Sequence, residues 1–151
     1  MPSRQRPAAI LLVEDDTCDV EILERSFAAG AYPVHLRVAR DGVEALEILR
    51  RSGGAENEPY PDLVLLDLNM PRKSGQEVLQ EMKADENLLL IPVIVFTTSS
   101  APRDILECYR CRANAYMTKP DTLQGYRDVT RAIVEYWTGR VELPPREGSV
   151  R

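Results

Sequence analysis

The sequence predicts an α/β fold, a doubly wound sheet of five parallel strands in the order 2-1-3-4-5 covered by five helices. Two observations predict it. Five short apolar runs alternate with five stretches of helical period, and Gly- or Pro-bearing breaks separate them. Runs one, three and four are almost continuously apolar, as strands must be when helices cover both faces of a sheet. Right-handed crossovers between parallel strands place helices on both faces.

Each element can be justified in chain order. Ala9 to Val13 is an apolar strand, and the next stretch carries Val20, Ile22, Leu23 and Phe27 at helical spacing until the break at Gly30 and Pro33. Val34, Leu36 and Val38 alternate with His35 and Arg37 as a second strand. Asp41-Gly42 then turns the chain into a helix bearing Val43, Ala45, Leu46, Ile48 and Leu49. The breaker-rich SGGAENEPYP leads to a strand at Leu63 to Leu66, and Pro71 and Gly75 precede a helix with Val78, Leu79 and Met82. Pro92 opens a strand at Val93 to Phe96, and Pro102 opens a helix reaching about Cys111. Ala115 to Met117 is a short fifth strand before a helix from about Leu123 to Trp137. The domain is therefore expected at 9–137, between a loose N-terminal segment at 1–8 and a C-terminal tail at 138–151.

With 151 residues, 44% of them hydrophobic, the chain has enough material for one core without disulfides or a structural metal. A net charge of -5, from 19 Lys plus Arg against 24 Asp plus Glu, argues against a nonspecific nucleic-acid binder. No apolar run approaches the roughly 20 residues needed to span a bilayer, and the opening MPSRQRPAA lacks a secretory core, so no membrane contact and a cytoplasmic location are expected. Cys18, Cys108 and Cys111 form an odd set suited to reduced thiols. The C-x-x-C at Cys108 and Cys111 sits in a charged helical pattern and reads as ordinary helix thiols rather than a zinc or redox site.

The chemistry-bearing residues fall at strand ends. Strand 1 ends in Glu14-Asp15, strand 3 in Asp67, strand 4 in Thr97, and Lys119 follows strand 5. Doubly wound sheets collect ligands beyond the carboxyl ends of their strands, above all at the switch point between strands 1 and 3. Glu14, Asp15 and Asp67 should meet there. Three converging carboxylates repel unless a cation joins them, and Mg²⁺ suits oxygen ligands while leaving positions for water and phosphate oxygens. Thr97 supplies a hydroxyl donor and Lys119 an ammonium for the remaining phosphoryl oxygens. Each residue has a plainer explanation when taken alone. Glu14 and Asp15 could cap a helix, Thr97 and Ser99 could belong to a turn, Lys119 could be solvated and Tyr116 could be core. Their joint placement at successive strand ends overrides these readings. Asp16 should point away from the metal, and His35 is assigned no function.

Over residues 9 to about 137 these motifs resemble the receiver domain of the two-component response regulators, whose strand order is flavodoxin-like. The resemblance implies that Asp67 is the phosphoacceptor and that Glu14, Asp15, Asp67 and the backbone carbonyl of Asn69 bind Mg²⁺, with Mn²⁺ as a substitute. It implies that Thr97 and Lys119 engage the phosphoryl group, that Thr97 and the aromatic Tyr116 form the switch, and that Pro120 follows Lys119 through a cis peptide. Thr98 stands where the family usually has a smaller residue. The chain would be a phosphoacceptor that catalyses its own phosphorylation and dephosphorylation rather than an enzyme acting on other molecules. DILECYRCRANAYMTKP together with Tyr136-Trp137 is similar to the small single-domain regulators of phytochrome-type sensor kinases. This implies such a histidine kinase as partner and signalling by docking or onward phosphotransfer without an output domain.

Other classes fit less well. A haloacid-dehalogenase-like phosphatase would carry an acid where this chain has Asn69, and a flavodoxin-like electron carrier would need a hydroxyl- and glycine-rich loop in place of EDDTCD. On the last helix, Leu123, Tyr126, Val129, Ala132, Ile133, Val134, Tyr136 and Trp137 spread over roughly 200°, about twice the arc that one sheet face covers. A homodimer through this helix and the tail residues Val141 and Leu143 is therefore expected.

Overall fold

In the computed structural model, residues 6–53 and 58–145 are described. The expectations for 1–5 and 146–151 at the two ends, and for 54–57 of the breaker-rich loop, lie outside the described residues.

The elements alternate throughout: β1 (Ala8–Val13), α1 (Thr17–Ala28), β2 (Val34–Ala39), α2 (Gly42–Arg51), β3 (Leu63–Leu66), α3 (Gly75–Ala84), β4 (Val93–Thr97), α4 (Pro102–Arg110), β5 (Ala115–Thr118) and α5 (Leu123–Ile133). The strands form one parallel sheet in the order β2-β1-β3-β4-β5. The expected fold class holds. Strand periodicity divides the interior into two cores. Leu11, Val13, Val64 and Leu66 face α2, α3 and α4, where Leu46, Leu49, Leu79, Met82 and Cys108 lie. Ile10, Leu12, Leu63 and Leu65 face α1 and α5, meeting Leu23, Phe27, Tyr126 and Ile133.

Register positions the chemistry. Val13 pairs with Leu66 and Leu66 with Val95, so β1 and β3 finish level and β4 runs two residues further, to Thr97. The next residues, Glu14 and Asp67, emerge side by side, and the Asp67 N–H still donates to the Val13 carbonyl at 3.0 Å.

The structure departs from expectation at several ends. β1 starts one residue early because the Ala8 N–H donates to the Pro33 carbonyl. β5 runs one residue further, to Thr118, and Lys119 N–H donates to the Thr97 carbonyl at 2.7 Å. α4 stops at Arg110, with Cys111 as its cap and Arg112 in the left-handed region at φ 69°. The last helix is not α-helical to Trp137. It widens into a π turn over Val134–Thr138, where the buried Thr138 hydroxyl donates to the Val134 carbonyl. No peptide bond among the described residues is cis, so Lys119–Pro120 is trans, the isomer that X–Pro bonds favour by about 0.5–1 kcal/mol.

The broad apolar arc of the last helix is largely covered by its own chain. Tyr126, Ile133 and Val134 are buried in the second core, and Val129 and Trp137 pack against it. Leu123 and Tyr136 stay exposed. Val141 N–H donates to the Tyr136 carbonyl, and Leu143, Pro144 and Pro145 line a cavity together with Tyr60, Leu90 and Pro92.

Candidate phosphoryl and metal site

The site is assembled by chain reversals at the carboxyl ends of β1, β3, β4 and β5. After β1, Glu14 turns inward and is 1% exposed, whereas Asp15 is exposed. Asp16, not Glu14 or Asp15, caps α1, its carboxylate accepting the Asp19 N–H at 3.0 Å. With its side chain committed to this cap, Asp16 is kept out of the acidic group, and the capping explanation of Glu14 and Asp15 fails. Asp16 N–H in turn donates to Glu14 Oε1 at 3.1 Å, fixing the buried carboxylate.

Asp67 is 6% exposed, and its Oδ1 accepts the Leu68 N–H at 2.9 Å. Gly75 closes the loop beneath it, donating its N–H to the Leu68 carbonyl. A Cβ at Gly75 would stand 2.1 Å from the Asp67 carbonyl oxygen, so the approach requires glycine. Glu14, Asp15 and Asp67 each present an oxygen within 4.8 Å of the others. Sequence topology led to this convergence.

Lys119 is not solvated. Its side chain is 5% exposed, and its ammonium donates to Glu14 Oε2 at 2.7 Å and Asp19 Oδ2 at 2.8 Å, with Asp67 Oδ2 3.7 Å away. Burial works against the Lys119 charge, but the hydrogen bonds to Asp19 and Glu14 prevail and its pKa lies above the ordinary lysine value. Burial pushes Glu14 up to about 7, against the Lys119 hydrogen bond and assisted by the negative charge of Asp67.

Thr97 is fully buried, and its hydroxyl has no hydrogen-bond partner among the described residues. An unpaired buried hydroxyl costs about 1–3 kcal/mol, so Thr97 is poised for a partner that arrives from elsewhere. Thr98 is exposed. Tyr116 is half-buried and packs against the first core, and its hydroxyl donates to the Ser99 carbonyl at 2.8 Å. Ser99 in turn donates to Asp104 and accepts the Ala101 N–H, so the β4–α4 connection and Tyr116 form one bonded unit. Asn69 is exposed in the loop following Asp67. His35 is exposed on β2.

Sequence reasoning missed Asp19 and Tyr126. Asp19 sits in the first turn of α1 and takes Lys119 on one oxygen and the Tyr126 hydroxyl on the other, at 3.0 Å. No local signal marks either residue, because the contacts that bring them to the site join positions 100 or more residues apart.

The donor set fits a hard divalent cation. Clustered carboxylates supply oxygen ligands, the exposed Asp15 leaves the group open on one side, and the orphan hydroxyl and the buried ammonium suit the oxygens of a phosphoryl group. Fold and site together define a doubly wound module with a cation-suited carboxylate cluster and a buried ammonium at its switch point. The family profile of the response regulator receiver domain matches residues 10–129, and the chain belongs to that family. Response regulator Rcp1 of Synechocystis sp. is 38% identical over 138 residues, covering 91% of this chain and 94% of that protein. The Mn²⁺-bound crystal structure of Rcp1 matches with a TM-score of 0.82 at 38% identity, over 92% of this chain and all of that one. The phosphorylated cyanobacterial phytochrome response regulator RcpA matches with a TM-score of 0.85 at 38% identity, over 93% of this chain and all of that one. Receiver domains bind Mg²⁺, and here Glu14, Asp15 and Asp67 form the acidic cluster. No helix among the described residues is long and apolar enough to cross a membrane.

Proposed function

We propose that Asp67 accepts a phosphoryl group from a phosphohistidine on a sensor kinase of the phytochrome type. The observation that carries the reading is Asp67 at the centre of the site, sharing an oxygen cluster with Glu14 and Asp15 and facing the Lys119 ammonium at 3.7 Å. An Asp67 carboxylate oxygen forms the new bond to phosphorus, the P–N bond to the kinase imidazole breaks, and the leaving nitrogen takes a proton from solvent. Lys119 and the Thr97 hydroxyl donate to the phosphoryl oxygens as charge develops on them. Glu14, Asp15, Asp67 and the Asn69 carbonyl would hold Mg²⁺, or Mn²⁺ in its place. The ion neutralises phosphoryl charge when bound.

With these groups in one chain, the protein promotes its own phosphorylation and dephosphorylation. Thr97 bonds inward to the phosphoryl group, Tyr116 exchanges its Ser99 bond for a new rotamer, and the α4–β5–α5 surface changes its population of states. The receiver spans 9–137, acts in the cytoplasm and signals by docking or onward transfer. The similarity to RcpA supports the phytochrome-linked kinase partner. The exposed Leu123 and Tyr136 support a homodimer through α5, with the tail at 138–151 as its flank. Leu143 lines a cavity of its own chain with Tyr60, Leu90 and Pro92.

The test is phosphorylation with Mg²⁺ and a phosphorylated phytochrome-type kinase or acetyl phosphate. The native chain is expected to be labelled and Asp67→Asn to lose labelling by at least about 100-fold, since removing one essential reacting group costs several kcal/mol. Equal labelling of the two removes Asp67 as acceptor.

A further inference from the structure

We propose that Asp19 is the positioning residue for Lys119, the anchor that keeps the ammonium over Asp67 while its other partners are exchanged. The proposal deepens the phosphoacceptor reading and rests on it.

An ammonium has three donors. In this structure Glu14 and Asp19 hold two of them, and Asp67 lies beyond hydrogen-bond length at 3.7 Å. The two held partners differ in kind. Glu14 belongs to the carboxylate cluster suited to a divalent cation, so a bound ion would compete with the lysine for its oxygens. Asp19 stands outside that cluster and has no such competitor. It is also fixed at both ends. Its N–H is bound by the Asp16 cap in the first turn of α1, and its second oxygen accepts the Tyr126 hydroxyl from α5.

Once Glu14 turns to a cation, Lys119 retains Asp19 and has two free donors for phosphoryl oxygens. Without Asp19, the ammonium has only Glu14 and Asp67 to bind and competes directly with the cation for both. A flexible lysine stem also carries rotamer entropy that the anchor removes beforehand. The simpler account of Asp19, an acid favoured near the positive end of a helix, makes its effect on the site independent of Lys119. The two accounts therefore separate in a double-mutant cycle.

Mn²⁺ binding to the full chain is measured by the electron paramagnetic resonance of the free ion, for native, Asp19→Asn, Lys119→Met and the double variant, with thermal unfolding as the check on folding. Asp19→Asn is expected to weaken Mn²⁺ binding about 10-fold when Lys119 is present, the usual scale for a residue behind the ligands. In the Lys119→Met chain the same change should weaken it no more than about 2-fold. Losses whose ratio between the two backgrounds is below roughly three overturn the proposal, because the coupling would then be near the error of additivity. If Asp19→Asn does not fold, Tyr126→Phe takes its place in the cycle under the same criterion, since it frees one Asp19 oxygen without changing charge. Mn²⁺ binding that is absent from the native chain, or unchanged in Asp67→Asn, refutes the metal site itself, and that result is distinct from an additive cycle.

Discussion

Single residues carry two opposed demands at this site, stability of the resting chain and readiness for a charged guest. Thr97 shows this most simply, because its buried hydroxyl bonds to no group among the described residues. Thr97→Val keeps the shape and removes the unpaired group, so it is expected to stabilise the cation-free protein by about 1 kcal/mol, or roughly 2–4 °C in melting temperature for a domain of this size. The same variant should lose most of the stabilisation that beryllofluoride and Mg²⁺ confer on the native chain. A lower melting point for the unliganded variant would show that the hydroxyl is not a burden. Glu14 illustrates the electrostatic side. Burial raises it from an ordinary value of 4.5 to about 7, so its folded form prefers the proton. It adds no penalty below pH 4.5 and an increasing one as the pH rises through 7. In EDTA, the stability of Glu14→Gln relative to the native chain should therefore improve by about 1–3 kcal/mol between pH 5 and 8 in urea titrations. A difference that stays flat across that range contradicts the burial effect.

Secondary elements determine how closely these residues approach one another. Gly75 opens α3 against the Asp67 carbonyl, with no room for a Cβ between backbone atoms. Gly75→Ala is expected to cost about 3 kcal/mol and to displace the loop after Asp67, measurable as a lower urea midpoint together with weaker Mn²⁺ binding. An unchanged midpoint would mean that α3 can shift freely. The elements also show what was legible beforehand. Strand order and the rim shared by Glu14, Asp15, Asp67, Thr97 and Lys119 could be read, because side-chain period and crossover handedness are local rules that fix which end of each strand is which. Asp19 was not read as a partner of Lys119, since the two lie 100 residues apart along the chain and meet only once α1 packs beside the end of β5. The π turn was missed for a similar reason. Its widening is tied to the Thr138 hydroxyl bonding back to Val134, a contact that hydrophobic period does not report.

At the scale of the whole molecule, the sheet separates two cores, and only one face carries α1 and α5 together. The π turn and α5 bury Ile133 and Val134 on that face, leaving Leu123 and Tyr136 outside. The homodimer proposal is therefore confined to a narrower stripe than the sequence alone suggested. Sedimentation at about 10–100 µM, where weak self-association is driven by concentration, should give a dimer that Tyr136→Asp with Leu123→Asp dissociates. A native monomer throughout that range excludes the contact.

Arg6 grips Asp62 just before β3 through two bonds of 2.9 Å, and Leu143 lines a cavity with Pro92, just before β4. Both described extremities thus sit on the rim opposite the carboxylates. A fluorescent label attached near either one can follow tumbling or assembly without crowding the acceptor.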